Sequence, residues 1–177
     1  MKGSKNIWTP IIVLGVICIV ITGALALTNS VTAPIIEAAT LAAQEQSRRD
    51  LLPEADGFTE VEVAVDNVSS VYAADNGVGT VVTSHAKGYG GDMTVMAAFN
   101  ADGTIKCIKV TESSETQGIG SKVARDPNFW TRFEGLEAKP LELGRDVDGM
   151  SGATVSSKAL ISAMNAAIDG YQAAAGR

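Results

Sequence analysis

An uncharged apolar segment near the N-terminus constrains the fold of this chain more than any other feature. From Trp8 to Leu27 no residue is charged, and only Thr9, Pro10 and Thr22 interrupt the apolar character. A helix of about 20 residues rises about 30 Å, which matches the hydrocarbon thickness of a bilayer. Pro10 lies in the first turn, where a helix tolerates proline. The segment therefore predicts a transmembrane helix.

The residues that precede this segment predict its orientation. Lys2 and Lys5 have no acidic neighbour, so the positive-inside rule places the N-terminus in the cytoplasm and the remainder outside the cell (inner) membrane. A cleavable signal peptide is the alternative, because Ala24-Leu25-Ala26 follows a basic start and an apolar run. The length favours an uncleaved single-pass anchor in the lipid, since a signal core usually has about 7 to 15 apolar residues. Both interpretations export the rest of the chain.

Composition limits what the exported part does. Of the 14 Lys and Arg residues 12 follow the anchor, against 20 Asp and Glu, which leaves that part with a net charge of −8. An acidic surface without basic clusters argues against a nucleic-acid partner. Two cysteines, Cys18 and Cys107, and one histidine do not supply the usual four ligands of an iron–sulfur cluster or a structural zinc site. We therefore expect no metal site, and any redox function requires an organic cofactor.

The pattern after the anchor predicts an α+β domain. Apolar alternation and turn residues predict strands at 59–65, 68–73, 79–84, 93–99 and 104–111. Helices are expected at 34–52, 127–133 and 156–173. The turn Asn100-Ala101-Asp102-Gly103 joins the last two strands as an antiparallel hairpin. Strands followed by helices indicate a mixed, largely antiparallel sheet with C-terminal helices. We divide the chain at 1–28, 29–57 and 58–177, as N-terminus and span, juxtamembrane helix and linker, and folded domain.

Just before the last predicted helix lies a run of small and hydroxyl residues. Its sequence is Asp148-Gly149-Met150-Ser151-Gly152-Ala153-Thr154-Val155-Ser156-Ser157. Gly149 and Gly152 permit a tight turn, and Thr154, Ser156 and Ser157 set hydroxyls beside the unpaired N–H groups of a helix start. Such a start binds phosphate. The alternative is a turn and a helix N-cap without a ligand.

This run resembles the flavinylation motif of the FMN-binding domain family, in which a Ser-Gly-Ala-Thr core carries FMN on its threonine. The resemblance implies a phosphoester between FMN and Thr154. The core before it is Ser151, Gly152 and Ala153. Asp148 and Ser157 take the flanking positions that the family's flavin transferase recognises. Under this resemblance residues 58–177 are an FMN-binding domain.

Two glycine-rich segments extend the resemblance. His85-Ala86-Lys87-Gly88-Tyr89-Gly90-Gly91 resembles a Lys-Gly-Tyr-Gly-Gly stretch of the family, and Tyr89 either stacks on the flavin or packs as an ordinary tyrosine. Glu115-Thr116-Gln117-Gly118-Ile119-Gly120 resembles a Glu-Thr-Pro-Gly-Leu-Gly loop, from which Gln117 departs because the family usually has proline there.

The second segment has a physical interpretation as a cofactor loop. Gly118 and Gly120 permit close approach of the backbone to a flat ring, and Glu115 and Thr116 are suited to hydrogen-bond its polar edge. The alternative is a solvent-exposed loop. The glutamine restores a backbone N–H and frees φ, so we expect a loop that is less rigid than that of the family or that offers the flavin an extra donor.

The order of these segments resembles the G subunits of the Rnf membrane electron-transport complex over nearly the whole chain. The resemblance implies a redox subunit that relays electrons on covalent FMN within a ferredoxin:NAD oxidoreductase coupled to Na⁺ or H⁺ translocation. It implies the other Rnf subunits and a flavin transferase as partners, no catalytic residue and no independent turnover. The alternatives are a C-subunit-like component of a sodium-pumping NADH:quinone oxidoreductase, a membrane-anchored binding module without flavin, and a stand-alone flavin reductase.

Overall fold

The computed structural model describes residues 8–114 and 121–176, with the Ser121 side chain left out. The chain divides into two compact units, Met1–Glu45 and Gln46–Arg177. Helix α1, Trp8–Leu51, includes both the predicted span and the helix predicted after it. Within the described residues it is the one helix that is long and apolar enough to cross a membrane. The expected apolar N-terminal helix is therefore present.

The second unit is built on a five-stranded sheet. Its strands are β1 Phe58–Glu60, β2 Val68–Ala74, β3 Gly79–Lys87, β4 Asp92–Asn100 and β5 Ile105–Ser113. They lie in the order β1-β2-β3-β4-β5, and each of the four pairings is antiparallel. The Asn100–Gly103 turn closes the predicted hairpin between β4 and β5, with the Gly103 N–H donating to the Asn100 carbonyl at 3.0 Å. The α+β class is confirmed.

The first strand is shorter than predicted. Only Phe58–Glu60 pairs with β2, and after the Val61 N–H donates to the Val71 carbonyl at 2.8 Å the chain leaves the ladder. Val61 and Val63 nevertheless pack against the core between exposed neighbours. The period-two alternation thus indicates that one side of the segment is buried. It does not show that the segment pairs as a strand, because an unpaired chain at the sheet edge has the same pattern.

Helix α4, Thr154–Ala175, covers one face of the sheet. It begins two residues before the predicted start, and its predicted core positions Leu160, Ala163, Met164, Ala167 and Ile168 are all buried. Tyr171 stacks on Phe99 with ring centroids 4.7 Å apart. The buried Ser84 hydroxyl donates to the Ala163 carbonyl at 2.8 Å. These contacts fix the middle and the C-terminal part of α4 against the sheet.

A second apolar cluster lies on the other face of the sheet. Leu51 and Leu52, at the end of α1, are buried there with Val81 and Met96. The Cys107 thiol donates to the Leu51 carbonyl at 3.2 Å, and burial raises its pKa to about 11. Both faces of the central strands are therefore covered, as the continuous burial of β4 requires.

Short helical segments connect β5 to the motif. They are α2 Ser121–Arg125, α3 Pro127–Trp130 and a 3₁₀ turn at Thr131–Phe133. Asp126 caps α3 by accepting the Asn128 N–H at 3.0 Å. Phe129 and Phe133 are buried in the main core. The helix predicted at 127–133 is divided between α3 and the 3₁₀ turn. The chain then runs without regular elements to α4.

Candidate functional site

A tight turn immediately precedes the first turn of α4. The Ala153 N–H donates to the Met150 carbonyl at 3.0 Å, and Gly152, the third residue of this turn, has φ = +78°. A type II turn requires a positive φ at its third position, where glycine is strongly favoured. No atom lies within 4 Å of a Cβ placed on Gly152. The backbone conformation, and not lack of space, is therefore what demands glycine here.

Side chains tie the turn to the rest of the unit. The Met150 N–H donates to the Ser157 hydroxyl at 3.1 Å, and the Ser157 N–H donates to the Ala153 carbonyl at 2.9 Å. The Ser157 side chain is fully buried, so its hydroxyl holds the turn against the helix. At the other end of the run, the Arg132 guanidinium donates to the Asp148 carbonyl at 2.9 Å. These contacts give the segment before Thr154 a defined shape.

The N-terminus of α4 has no side-chain cap. Ala153 occupies the N-cap position and makes no capping hydrogen bond, and alanine is among the poorest residues there. Thr154, Val155 and Ser156 are the first three helical residues, whose N–H groups have no carbonyl in a preceding helical turn. Such a terminus binds an anion well, through its N–H groups and its partial positive charge.

Thr154 lies in a surface cavity of about 310 Å³, lined by Tyr89 and by residues 152–156. It is exposed, and its hydroxyl has no hydrogen-bond partner among the described residues. Tyr89 is 68% exposed and Val155 is 52% exposed. Within the described residues after α1, these two are the only large hydrophobic side chains so exposed. The cavity thus combines a free hydroxyl, an uncapped helix start and unburied apolar surface.

The turn between β3 and β4 brings Tyr89 to this cavity. The Gly88 N–H donates to the Gly91 carbonyl at 2.8 Å. A Cβ on Gly91 would lie 2.6 Å from the Ser114 Cβ, closer than two such atoms approach, so the crossing of this turn and the end of β5 requires glycine. The glycine-rich segment found in the sequence therefore serves a close approach of two chain segments at the edge of the site.

Of the predicted site residues, Gly152, Ala153, Thr154 and Ser156 line the cavity, whereas Asp148 and Ser151 lie outside its lining. Ser151 and Asp148 are exposed, Ala153 is buried, and the buried Ser156 lines the cavity. The predicted loop residues Glu115, Thr116, Gln117, Gly118 and Gly120 lie outside the described residues. Val155 and Arg132 were not predicted from the sequence. Only the exposure of Val155 and the contact of Arg132 with Asp148 mark them out.

The described cavity contains no group that activates a hydroxyl nucleophile. None of its lining residues is a histidine or a carboxylate. The single histidine, His85, instead has its Nδ1 atom 3.3 Å from the Ser69 hydroxyl. A threonine hydroxyl is a weak nucleophile unless a neighbouring base or metal activates it. The described part of the chain therefore offers Thr154 as an acceptor and supplies no base for its modification.

Comparison with known proteins defines the class. Residues 88–169 match the family model of the FMN-binding domain, and residues 1–50 match that of the RnfG N-terminal region. Together with the fold, these matches define an FMN-binding domain that follows an apolar N-terminal helix. The exposed Thr154 and its cavity lie within the matched domain.

Individual relatives identify the family. The G subunit of a Na⁺-translocating ferredoxin:NAD⁺ oxidoreductase complex from Acetobacterium woodii is 33% identical, with 93% of each chain covered. The G subunit of an ion-translocating oxidoreductase complex from Methanosarcina acetivorans is 32% identical, with 96% of each covered. The chain belongs to the family of these G subunits. The crystal structure of Shewanella oneidensis NqrC aligns with 27% identity and a TM-score of 0.49, over 59% of this chain and 58% of that protein.

Proposed function

We propose that this protein carries FMN covalently, through a phosphoester to Thr154, and relays electrons within an Rnf-type ferredoxin:NAD oxidoreductase that translocates Na⁺ or H⁺. The observation that carries the proposal is the exposed, unpartnered Thr154 hydroxyl at the first residue of an uncapped helix. The relatives named as G subunits of such complexes support the assembly. As a subunit of an oxidoreductase complex, the protein is expected to have no turnover of its own.

The residues present fit the group. The uncapped N–H groups of Val155 and Ser156 are available to phosphate oxygens, and a negative charge at a helix start contributes about 0.3–1 kcal/mol. Tyr89 and Val155 expose apolar surface in a cavity within the usual size range of ligand sites. Bound FMN supplies the uptake and release of electrons. The chain's own residues would hold its phosphate at Thr154 and offer Tyr89 and Val155 as apolar contacts.

Attachment requires a partner. Because the described lining of the cavity contains no histidine or carboxylate, we propose that a separate flavin transferase activates Thr154 and transfers FMN from FAD. In this scheme the transferase recognises the segment from Asp148 to Ser157. The turn and the Arg132 contact present that segment in one conformation, which lowers the entropy lost on recognition.

We further propose that α1 anchors the chain in the cell (inner) membrane, with the N-terminus in the cytoplasm and residues 58–177 outside it. The support is the pair Lys2 and Lys5 before the apolar run. The division at 28/29 and 57/58 is part of this proposal. A membrane-impermeant maleimide tests it on whole cells with Lys139→Cys in a Cys107→Ala background. Labelling is expected without lysis, and labelling only after lysis would reverse the orientation.

Intact mass of protein purified from cells that also express the transferase tests the attachment. The expected mass exceeds that of the polypeptide by FMN less one water, and in-gel fluorescence is retained after denaturation. Thr154→Val is expected to abolish both signals. Ser69→Ala is the matched control, because it removes an exposed hydroxyl outside the segment from Asp148 to Ser157. Ser151→Ala is measured beside it, because Ser151 is the other exposed hydroxyl of the segment before Thr154.

The outcomes separate the alternatives. A wild-type mass equal to that of the polypeptide would favour a binding module without flavin. Fluorescence that survives Thr154→Val but not Ser151→Ala would move the attachment to Ser151. Partnership with a quinone-reducing complex, the other alternative, predicts co-purification with a different set of subunits. The G-subunit relatives favour the Rnf-type assembly.

A further inference from the structure

A second surface cavity shares the turn that precedes Thr154. It has a volume of about 440 Å³ and is lined by Lys122, Arg125, Asp126, Pro127 and Met150. Met150 is the first residue of the turn, whereas Gly152, the third, lines the Thr154 cavity. The turn therefore contributes Met150 to this cavity, and Gly152 and Ala153 to the Thr154 cavity.

Two cations dominate the charge of this second cavity. Lys122 and Arg125 are exposed, and neither forms an ion pair with a residue that the structure describes. The one carboxylate, Asp126, already accepts the N–H of Asn128 at 3.0 Å and its side-chain amide at 3.2 Å. The described lining of this cavity thus has a net positive charge, whereas the chain as a whole is acidic.

The helix that carries these cations is held in place. Val123 and Ala124, between the two, are buried, and the Trp130 indole N–H donates to the Val123 carbonyl at 3.0 Å. Lys122 and Arg125 therefore extend from a backbone that the core fixes. Only their side chains are free to adjust to a ligand.

The cavity is within reach of a group attached to Thr154. Met150 precedes Thr154 by four residues, so their Cα atoms are at most about 14 Å apart. The hydrogen bond from the Met150 N–H to the Ser157 hydroxyl folds the turn back onto the helix and shortens that distance. FMN attached to Thr154 would have its phosphate at the helix start and would be within reach of both cavities that share this turn.

We propose that Lys122 and Arg125 form a cationic subsite that faces the electron-accepting ring of the attached flavin and makes its reduction more favourable. The proposal rests on the attachment of FMN at Thr154. Uptake of two electrons and one proton leaves the ring with one net negative charge, and two cations stabilise that charge relative to the neutral oxidised ring. The electrons come from the redox partner in the complex, and from dithionite in the test.

The test is a reductive titration of the flavinylated full-length protein in detergent, with Lys122→Gln, Arg125→Gln and the double variant. Each single change is expected to lower the ratio of reduced to oxidised flavin at a fixed potential by about three- to tenfold. These factors correspond to a unit charge about 10 Å away across an effective dielectric constant of roughly 50 to 25. The difference is expected to shrink in 1 M salt, where the Debye length is about 3 Å.

Lys139→Gln is the matched control, because Lys139 is also exposed but pairs with Glu137 outside both cavities. Its potential should equal that of the wild type. Intact mass and thermal midpoint of every variant establish that attachment and folding are retained. A potential unchanged in the double variant overturns the inference. Slower flavin attachment with an unchanged potential also overturns it, because that result would show that the two cations bind the FAD from which FMN is transferred. A wild-type protein without flavin instead refutes the proposed function.

Discussion

Substitution of Gly152 tests whether the turn before Thr154 has the shape the structure gives it. At φ = +78° an L-residue other than Asn or Asp is strained, by about 1–2 kcal/mol for a left-handed conformation. Because no atom lies within 4 Å of the added Cβ, Gly152→Ala introduces no clash that would add to this strain. A Gly→Ala change also restricts the unfolded chain, which stabilises by about 0.4–1 kcal/mol where the native conformation permits alanine.

Gly149→Ala removes that second effect from the comparison. Gly149 lies in the same loop without a positive φ, and its added Cβ would meet Leu143 at an ordinary 3.5 Å. Both variants restrict the unfolded chain equally, so the difference between them isolates the strain. We expect Gly152→Ala to be less stable than Gly149→Ala by about 1–2 kcal/mol. For a unit of this size that is a difference in Tm of about 3 to 10 °C.

The assay is thermal unfolding of the full-length protein in detergent, followed by tryptophan fluorescence, with flavin attachment measured on the same samples. Gly152→Asn is expected to fall between the two alanine variants, because asparagine adopts left-handed conformations more easily. Attachment should fall with Gly152→Ala, since the Met150 and Ser157 contacts depend on the turn. Equal Tm values for the two alanine variants would refute the assignment of this turn.

Three further outcomes follow from individual contacts. Ser157→Ala leaves the half-buried Met150 N–H without its acceptor and is expected to cost about 1 kcal/mol, whereas Ser151→Ala, at an exposed position, should change the free energy of unfolding by less than about 0.5 kcal/mol. Because the pKa of Cys107 is raised to about 11, its alkylation should stay slow below pH 9, and the stability of the wild type relative to Cys107→Ala should fall as pH rises from 9 to 11. Tyr89→Ala should leave Tm nearly unchanged, because the side chain is 68% exposed, yet alter the fluorescence yield of attached flavin; an unaltered yield would separate Tyr89 from the flavin.

The strand predicted at 59–65 was too long, because β1 ends at Glu60. Alternation at Val61 and Val63 correctly indicated burial of one side, but a chain crossing the sheet edge has the same alternation as a paired strand. Helix α4 shows a smaller error of the same origin. Its first residue is Thr154 and not Ser156, because the turn at Gly152 ends in a backbone hydrogen bond that lets the helix start directly after it.

The sequence by itself determined the local features of this protein. An uncharged run long enough for a bilayer, a hairpin turn, an amphipathic last helix and the Ser-Gly-Ala-Thr motif each depend on neighbouring residues, whose spacing and chemistry are visible in one dimension. They sufficed for the α+β class, the apolar N-terminal helix and Thr154 as the candidate attachment point.

Only the tertiary structure decided which distant residues share the site. Tyr89 reaches Thr154 because the β3–β4 turn crosses the end of β5 at Gly91, and Arg132 reaches Asp148 through the short segments after β5. Ser157 is buried although it is polar, and Val155 is exposed although it is apolar. Burial and long-range contacts result from the packing of whole elements against one another. A local sequence pattern does not show which elements pack together.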